Sequence, residues 1–240
     1  MPISKTDFIR ALQCEKMLWL DSHAPEYKII PPEVQLRLDQ GNEFGDIAMG
    51  IFGDFVETTV LREDGRLNFS AMLERTKELL SLQTPVVCEA CFSWYGNFCD
   101  ADILRLEKDG YVLYEVKNSY FAKKEFVTDL GFQRFLLRKC GITVTACKLI
   151  LRGDTPPEES TGKDEPFEKE EFLEKNGVCY RIVDVTSGAK IYDRLTSDCI
   201  FDLGKIKRKD AHMPAITPSA PCNFPSRCWY YEFCHKDQER

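Results

Sequence analysis

The sequence predicts an α/β fold, a mixed sheet flanked by helices. Three observations carry that expectation. Two apolar runs, Phe98 to Glu107 and Tyr111 to Val116, are joined by Lys108-Asp109-Gly110, the signature of a hairpin with a tight turn. The next stretch, 120–140 (YFAKKEFVTDLGFQRFLLRKC), has helical periodicity and ends at Gly141, a natural C-cap. A β-branched run, Thr143 to Arg152, then follows, and a hairpin, helix and strand in that order imply a crossover.

The other elements follow in chain order. Ile3 to Asp21 reads as a helix, with Ser4 as N-cap and Asp7 at the capping-box distance. Residues 22–32 are a loop carrying His23. Pro31 or Pro32 opens a second helix, which runs to Gly53 and is interrupted by Gly41 and Gly45. Residues 51–69 give a short strand and turn. Ser70 caps a helix to Leu82, and strand 85–95 begins an antiparallel meander with the hairpin. Residues 153–177, rich in Pro, Glu, Ser, Gly and Lys, read as a flexible acidic insertion. A strand over 178–185 and a helix over 188–203 complete the sheet and its cover. GKIKRKD at 204–210 is either a phosphate contact or a cation cluster at a helix end.

Composition sets the bounds. A chain of 240 residues gives one domain with elaborations, or a domain plus a small appendage, and 43% hydrophobic residues with 16 Phe build a substantial core. No apolar run reaches membrane-span length, and MPISKTDFIR lacks a signal-peptide core, so a cytoplasmic location is expected. The net charge of −7 excludes a generally basic nucleic-acid coat but allows a local basic groove.

The hairpin carries the chemistry. Glu115 and Lys117, two residues apart in a strand, share a face, and an in-register partner strand brings Asp102 to the same place. Carboxylate oxygens of this kind hold Mg²⁺ or Mn²⁺, and a lysine beside them acts on water or phosphate. The alternative is that the acids are solvent-facing strand residues. Glu43, on the glycine-interrupted helix, is a further candidate ligand, because the glycines would let that helix sit against the sheet, whereas Asp46 reads as a solvated helix residue. Glu89 also interrupts an apolar run and could look toward the site. Gln133 is either exposed or positioned to bond nucleic acid or a metal-bound water. Lys123, Lys124, Arg134, Arg138 and Lys139 make the 120–140 helix locally basic, a phosphate-facing edge or a solvated face. Trp94 and Tyr95 could stack on unpaired bases, with core packing the main role of Trp94.

Eleven cysteines without a secretion signal do not read as a disulfide framework. Cys88 and Cys91 form a CxxC within a strand, where they face opposite sides and pack as small hydrophobes. The tail differs. Cys222, Cys228 and Cys234 follow a Cys-x5-Cys-x5-Cys spacing among prolines and aromatics. A 4Fe–4S cluster needs four thiolates, and Cys14 on the first helix is the best fourth candidate, while zinc with the adjacent His235 has awkward geometry.

ISKTDFIRALQC with Cys14, GNEFG with Glu43, DADIL with Asp102, EVK with Glu115 and Lys117, GFQRFLL with Gln133, and the three tail cysteines form an ordered set over nearly the whole chain. In this the chain resembles the PD-(D/E)XK nuclease superfamily, specifically its RecB-like branch with an iron–sulfur cluster. That branch includes the CRISPR-associated RecB-like exonucleases and the AddB nuclease domain. The resemblance implies a single restriction-endonuclease-like domain over 1–240. It also implies an iron–sulfur-stapled helical subregion formed by 1–30 and 211–240. The implied activity is metal-dependent cleavage of DNA, with single-stranded or free ends as substrate and DNA-processing or defence proteins as partners. Asp102, Glu115 and Glu43 would hold Mg²⁺ or Mn²⁺, Lys117 would act on water and phosphate, and Gln133 would position substrate. Cys14, Cys222, Cys228 and Cys234 would hold the 4Fe–4S cluster. Two features depart from the family pattern: many members have histidine where Glu43 stands, and the cysteine spacing is wider here. A silent nucleic-acid-binding or adaptor module on the same fold is the competing expectation.

Overall fold

The computed structural model describes residues 1–30, 40–41, 43–156, 162–216, 222–223 and 227–235. It is an α/β structure built on one seven-stranded mixed sheet, flanked by helices. The strands are β1 (Val56–Glu57), β2 (Val86–Trp94), β3 (Asn97–Glu107), β4 (Gly110–Val116), β5 (Val144–Arg152), β6 (Lys169–Lys175) and β7 (Val178–Asp184). Their spatial order is β1-β2-β3-β4-β5-β7-β6. As expected, β2, β3 and β4 form an antiparallel meander. β5 runs parallel to β4 after a helical crossover, because parallel neighbours cannot be joined by a tight turn. The hairpin turn ends at Gly110, where φ is +141° and an added Cβ would stand 2.6 Å from the carbonyl oxygen of Thr143. Only glycine fits there.

The N-terminal segment forms two helices rather than one. α1 (Lys5–Gln13) starts at Ser4 with the full capping box to Asp7, and α2 (Glu15–His23) follows at once. Cys14 separates them in an extended conformation (φ −163°, ψ 118°), serving as C-cap of one and N-cap of the other. Of the second predicted helix, residues 31–39 and 42 lie outside the described residues. Residues 43–48 form α3, which ends in the 3₁₀ turn Met49–Phe52. Among the described residues, nothing lies within 4 Å of a Cβ added at Gly41 or Gly45, so no close approach to those residues depends on them.

α4 (Phe69–Ser81) is capped by Asn68 rather than Ser70. α5 (Lys124–Lys139) begins four residues later than the pattern suggested, after the turn-forming hydrogen bonds of Ser119 and Phe121. Its end matches the expectation, with Cys140 as C-cap and Gly141 at φ +84°. α6 (Thr186–Ile206) is longer than predicted at both ends. The acidic stretch 153–177 contains β6, whose residues are all exposed and which pairs along its length with β7. Backbone pairing makes this strand, where its composition had suggested only a loop. A last short helix, α7 (Tyr231–His235), lies in the cysteine-rich tail.

Side-chain alternation divides the core. Leu113 and Leu104 face α1, α5 and α6 and pack with Phe8, Phe132 and Phe135. Their strand neighbours Tyr114 and Ile103 face the other way, against Phe44, Ala48 and Met49. A third cluster joins the chain's two ends, with Met17, Leu20, Ala24 and Tyr230 at its centre. Among the described residues, no helix is long and apolar enough to cross a membrane.

Candidate functional site

Register builds the site. β3 pairs Ile103 with Tyr114, so the next step brings Asp102 level with Glu115. β2 pairs Cys88 with Ile103, so the same step brings Glu89 level with Asp102. Glu89, Asp102 and Glu115 thus form a row across three strands. Glu89 adopts φ +54°, a left-handed conformation that a non-glycine residue rarely takes. At this point the alternation of β2 changes, since Val86 and Cys88 face one core cluster while Ala90 and Phe92 face the other.

Glu115 is fully buried and heavily bonded. Lys117 Nζ lies 2.5 Å from its Oε1, as the shared strand face requires. Gln133 Nε2 donates to its Oε2 at 2.5 Å and to Asp129 Oδ1 at 3.0 Å. Lys117 also reaches Asp129 Oδ2 at 3.3 Å. Asp102 Oδ2 accepts the backbone N–H of Val116 at 2.7 Å. From α1, Lys5 Nζ stands 3.5 Å from Asp100, 3.5 Å from Glu115 and 3.8 Å from Asp129.

The electrostatics follow from this crowding. Burial, reinforced by the charge of Glu115, pushes Asp102 up to about 7 and Asp129 up to about 6. Burial and Asp102 push Glu89 up to about 8. Burial also works against the charged form of Glu115, but Lys117 and Lys5 outweigh it and hold that carboxyl well below the usual range. When all are ionised, Glu89, Asp100, Asp102, Glu115 and Asp129 outnumber Lys5 and Lys117 by three charges, an excess that a divalent cation would reduce.

The donor set suits a hard cation, which prefers carboxylate and amide oxygens. Gln133 Oε1 adds a buried acceptor with no hydrogen-bond partner among the described residues. Among the described residues, no group of three or more His, Cys, Asp or Glu side chains is arranged to hold a metal ion. The carboxylates of this site close on ammonium groups instead.

The structure does not bring Glu43 to this cluster. Glu43 is exposed and lines an open cleft of about 500 Å³ with Phe44, Asn118, Arg152 and Asp154. Asn118, directly after Lys117, donates to the carbonyl of Gln40 at 3.2 Å, which ties the cleft to the site's edge.

The basic residues of α5 divide. Arg134 and Arg138 are drawn to buried Asp193 on α6, Arg138 Nη2 at 2.7 Å, so the helix packing uses them rather than a phosphate-facing edge. Lys123 lies over the ring of Phe126 at 5.7 Å, and Lys117 lies at the same distance. Lys124 is exposed. In the 204–210 run, Lys207 pairs with Asp7 at 2.7 Å and the Arg208 carbonyl bonds His23, so this run docks on α1 and α2. Trp94 packs against Phe135, Tyr95 and Phe201, while Tyr95 is exposed.

The four expected cysteines come together. Cys14, Cys222, Cys228 and Cys234 line one small, largely apolar cavity with Met17, Leu20 and Tyr230. Tyr230 Oη donates to Asp21 Oδ1 at 2.8 Å, and Ile29 N donates to the Trp229 carbonyl at 2.9 Å, which holds tail and N-terminus together. Burial pushes the Cys228 thiol up to about 11. Cys88 and Cys91 are plain core residues, each pushed up to about 12 by burial.

Sequence reasoning missed Lys5, Asp100 and Asp129. Asp129 left a signal, because it stands four residues before Gln133 on the stripe of α5 that faces the core. Lys5 left none, since its 110-residue separation from Glu115 is bridged only by the fold. No family model matches the chain, and no curated protein matches it.

Proposed function

We propose that this chain is a metal-dependent DNA nuclease of the restriction-endonuclease-like type, a single-strand-preferring exonuclease with a structural 4Fe–4S cluster. The row of Glu89, Asp102 and Glu115 carries the proposal, with Lys117 set against Glu115. Asp102 and Glu115 would hold Mg²⁺ or Mn²⁺, which polarises a phosphate oxygen and acidifies a bound water. Lys117 presents an ammonium group to the phosphate or the attacking water, with Asp129 fixing its direction. Gln133 clamps Glu115 through its amide N–H and keeps its carbonyl oxygen for a water proton.

The four-cysteine cavity supports the cluster. Four cysteines lining one small cavity match the ligand number of a 4Fe–4S centre, and Met17, Leu20 and Tyr230 give that cavity an apolar lining. The cluster is assigned a structural role, since Cys14, Cys228 and Cys234 pack against the third core cluster and the carboxylates do not.

One observation favours the second reading, a silent nucleic-acid-binding module. Lys5 and Lys117 both already bind the same oxygen of Glu115. Cleavage of end-labelled single-stranded and duplex DNA by anaerobically purified protein separates the two, with Mn²⁺, Mg²⁺ or EDTA. Metal-dependent degradation that disappears in Glu115→Ala supports the nuclease. Folded, brown protein that binds DNA and leaves it intact supports the module.

A further inference from the structure

We propose that Lys5 is the resident counter-cation of the carboxylate site, a positioning residue whose ammonium group holds the place among Asp100, Glu115 and Asp129 that a divalent cation has to win. The inference rests on the reading that this site takes Mg²⁺ or Mn²⁺, and deepens it by naming what sets its metal affinity.

The two lysines of the site are held differently. Lys117 is 2.5 Å from Glu115, on the same strand face, with a second carboxylate at 3.3 Å. Lys5 has three carboxylate neighbours at 3.5–3.8 Å, each from a different element: β3, β4 and α5. An ammonium group centred among three anions, with its hydrogen bond to Glu115 a long 3.5 Å, sits where a cation lowers the mutual repulsion most. Its flexible four-carbon stem lets it leave without moving the backbone, and its side chain is about one-fifth exposed, so solvent is within reach.

The backbone beneath it is firmly held. Ile3 is buried, its N–H donates to Asn97 Oδ1 at 2.8 Å, and its carbonyl accepts from Phe98. Ser4 caps α1 through the reciprocal bonds with Asp7, and Lys207 pairs with Asp7. Lys5 therefore returns to the same point whenever the cation leaves. It keeps Glu115 and Asp129 from repelling each other in the metal-free protein, and raises the metal concentration at which the site fills.

The test measures binding of Mn²⁺ alone, through the electron paramagnetic resonance signal of the free ion, to the full chain and to Lys5→Met, Lys5→Gln, Lys5→Arg and Glu115→Gln. A folded, uncharged variant at position 5 binds Mn²⁺ at least ten-fold more tightly than the parent. Lys5→Arg returns affinity toward the parent value, and Glu115→Gln loses it. A role in fold stability alone weakens binding or leaves it unchanged, and either result overturns the proposal. The unmodified chain provides a second measurement that no folding defect can compromise. Acylation of Lys5, followed by mass spectrometry, rises several-fold when Mn²⁺ is added, and unchanged labelling overturns the proposal. DNA cleavage measured alongside keeps the two readings apart. Tighter Mn²⁺ binding without cleavage sinks the nuclease and leaves Lys5 its role, whereas cleavage with unchanged Mn²⁺ binding does the reverse.

Discussion

Lys5 and Cys14 stand at the two ends of α1, and each belongs to a different site. Lys5 enters the carboxylate cluster, and Cys14 lines the cavity of the tail cysteines. At 1.5 Å per residue the helix holds them about 13 Å apart. The extended break at Cys14 ends α1 and starts α2. One short helix therefore connects the carboxylate site to the cysteine cavity.

The cysteine cavity gives the first prediction. On the proposed 4Fe–4S reading, the parent is brown, and Cys228→Ser should be colourless with a lower melting temperature, because metal binding is coupled to folding. Cys14→Ser has the same effect, although Cys14 lies more than 200 residues earlier in the chain. Absorbance and melting of the anaerobically purified proteins decide the matter. Parent-like colour and stability in either variant would remove that cysteine from the ligand set.

Asp102 makes stability depend on pH in the absence of metal. Its folded pKa, about 7, lies above the ordinary carboxylate range, so the folded state binds the proton more tightly than the unfolded chain does. That contribution is fully present below about pH 4 and is lost as pH rises through 7. Glu115 runs the other way, contributing stability above its unfolded range that is lost as pH falls. Asp102→Asn mimics the protonated acid and can still accept from Val116 N–H. In EDTA it is therefore more stable than the parent at pH 8, by on the order of 2 kcal/mol, with the gain shrinking toward pH 4. Urea unfolding at both pH values checks this, and a gain that is equal at both rules out the assignment.

Much of this architecture is legible in the sequence, for physical reasons. The 98–117 hairpin announces itself through local alternation and a turn, and the shared face of Glu115 and Lys117 follows from strand geometry alone. The capping box at Ser4 is equally local. What stayed hidden is long-range or compensated. Arg134 and Arg138 look like a basic edge until α6 supplies Asp193. β6 lacks the apolar alternation of a buried strand because it is exposed throughout, and its partner β7 alone defines it. Glu43 followed the glycines toward the sheet, and among the described residues the glycines have no such contact.

Asp193 supplies the third prediction. It is buried on α6 and receives both Arg134 and Arg138. Removing the acid leaves the largely covered guanidinium of Arg134 without its partner. Asp193→Ala should destabilise the fold by about 3 kcal/mol, as expected when one member of a buried pair is deleted. Arg138→Ala, with its side chain roughly half exposed, costs less, and on the proposed nuclease reading should leave DNA affinity unchanged because its guanidinium is taken up by Asp193. Urea unfolding and fluorescence anisotropy with labelled DNA measure the two effects. A marked loss of affinity with no loss of stability would return Arg138 to the phosphate-facing edge.

The close contact of α5 and α6 gives the last prediction. Gly131 lies on the face of α5 turned toward α6, roughly opposite the one that carries Asp129 and Gln133. A Cβ added there would stand 2.3 Å from Cβ of Tyr192 and 2.9 Å from the carbonyl oxygen of Ala189. Neither is the far end of a flexible side chain, so the helices themselves must separate. Gly131→Ala therefore destabilises the protein by about 2 kcal/mol, against the gain in helix propensity that alanine brings elsewhere. Because α5 also carries Asp129 and Gln133, the same displacement loosens the clamp on Glu115. Mn²⁺ affinity should fall together with stability in this variant, in contrast to the tighter binding expected from Lys5→Met. A variant as stable as the parent would show that α6 yields at this point without disturbing the site.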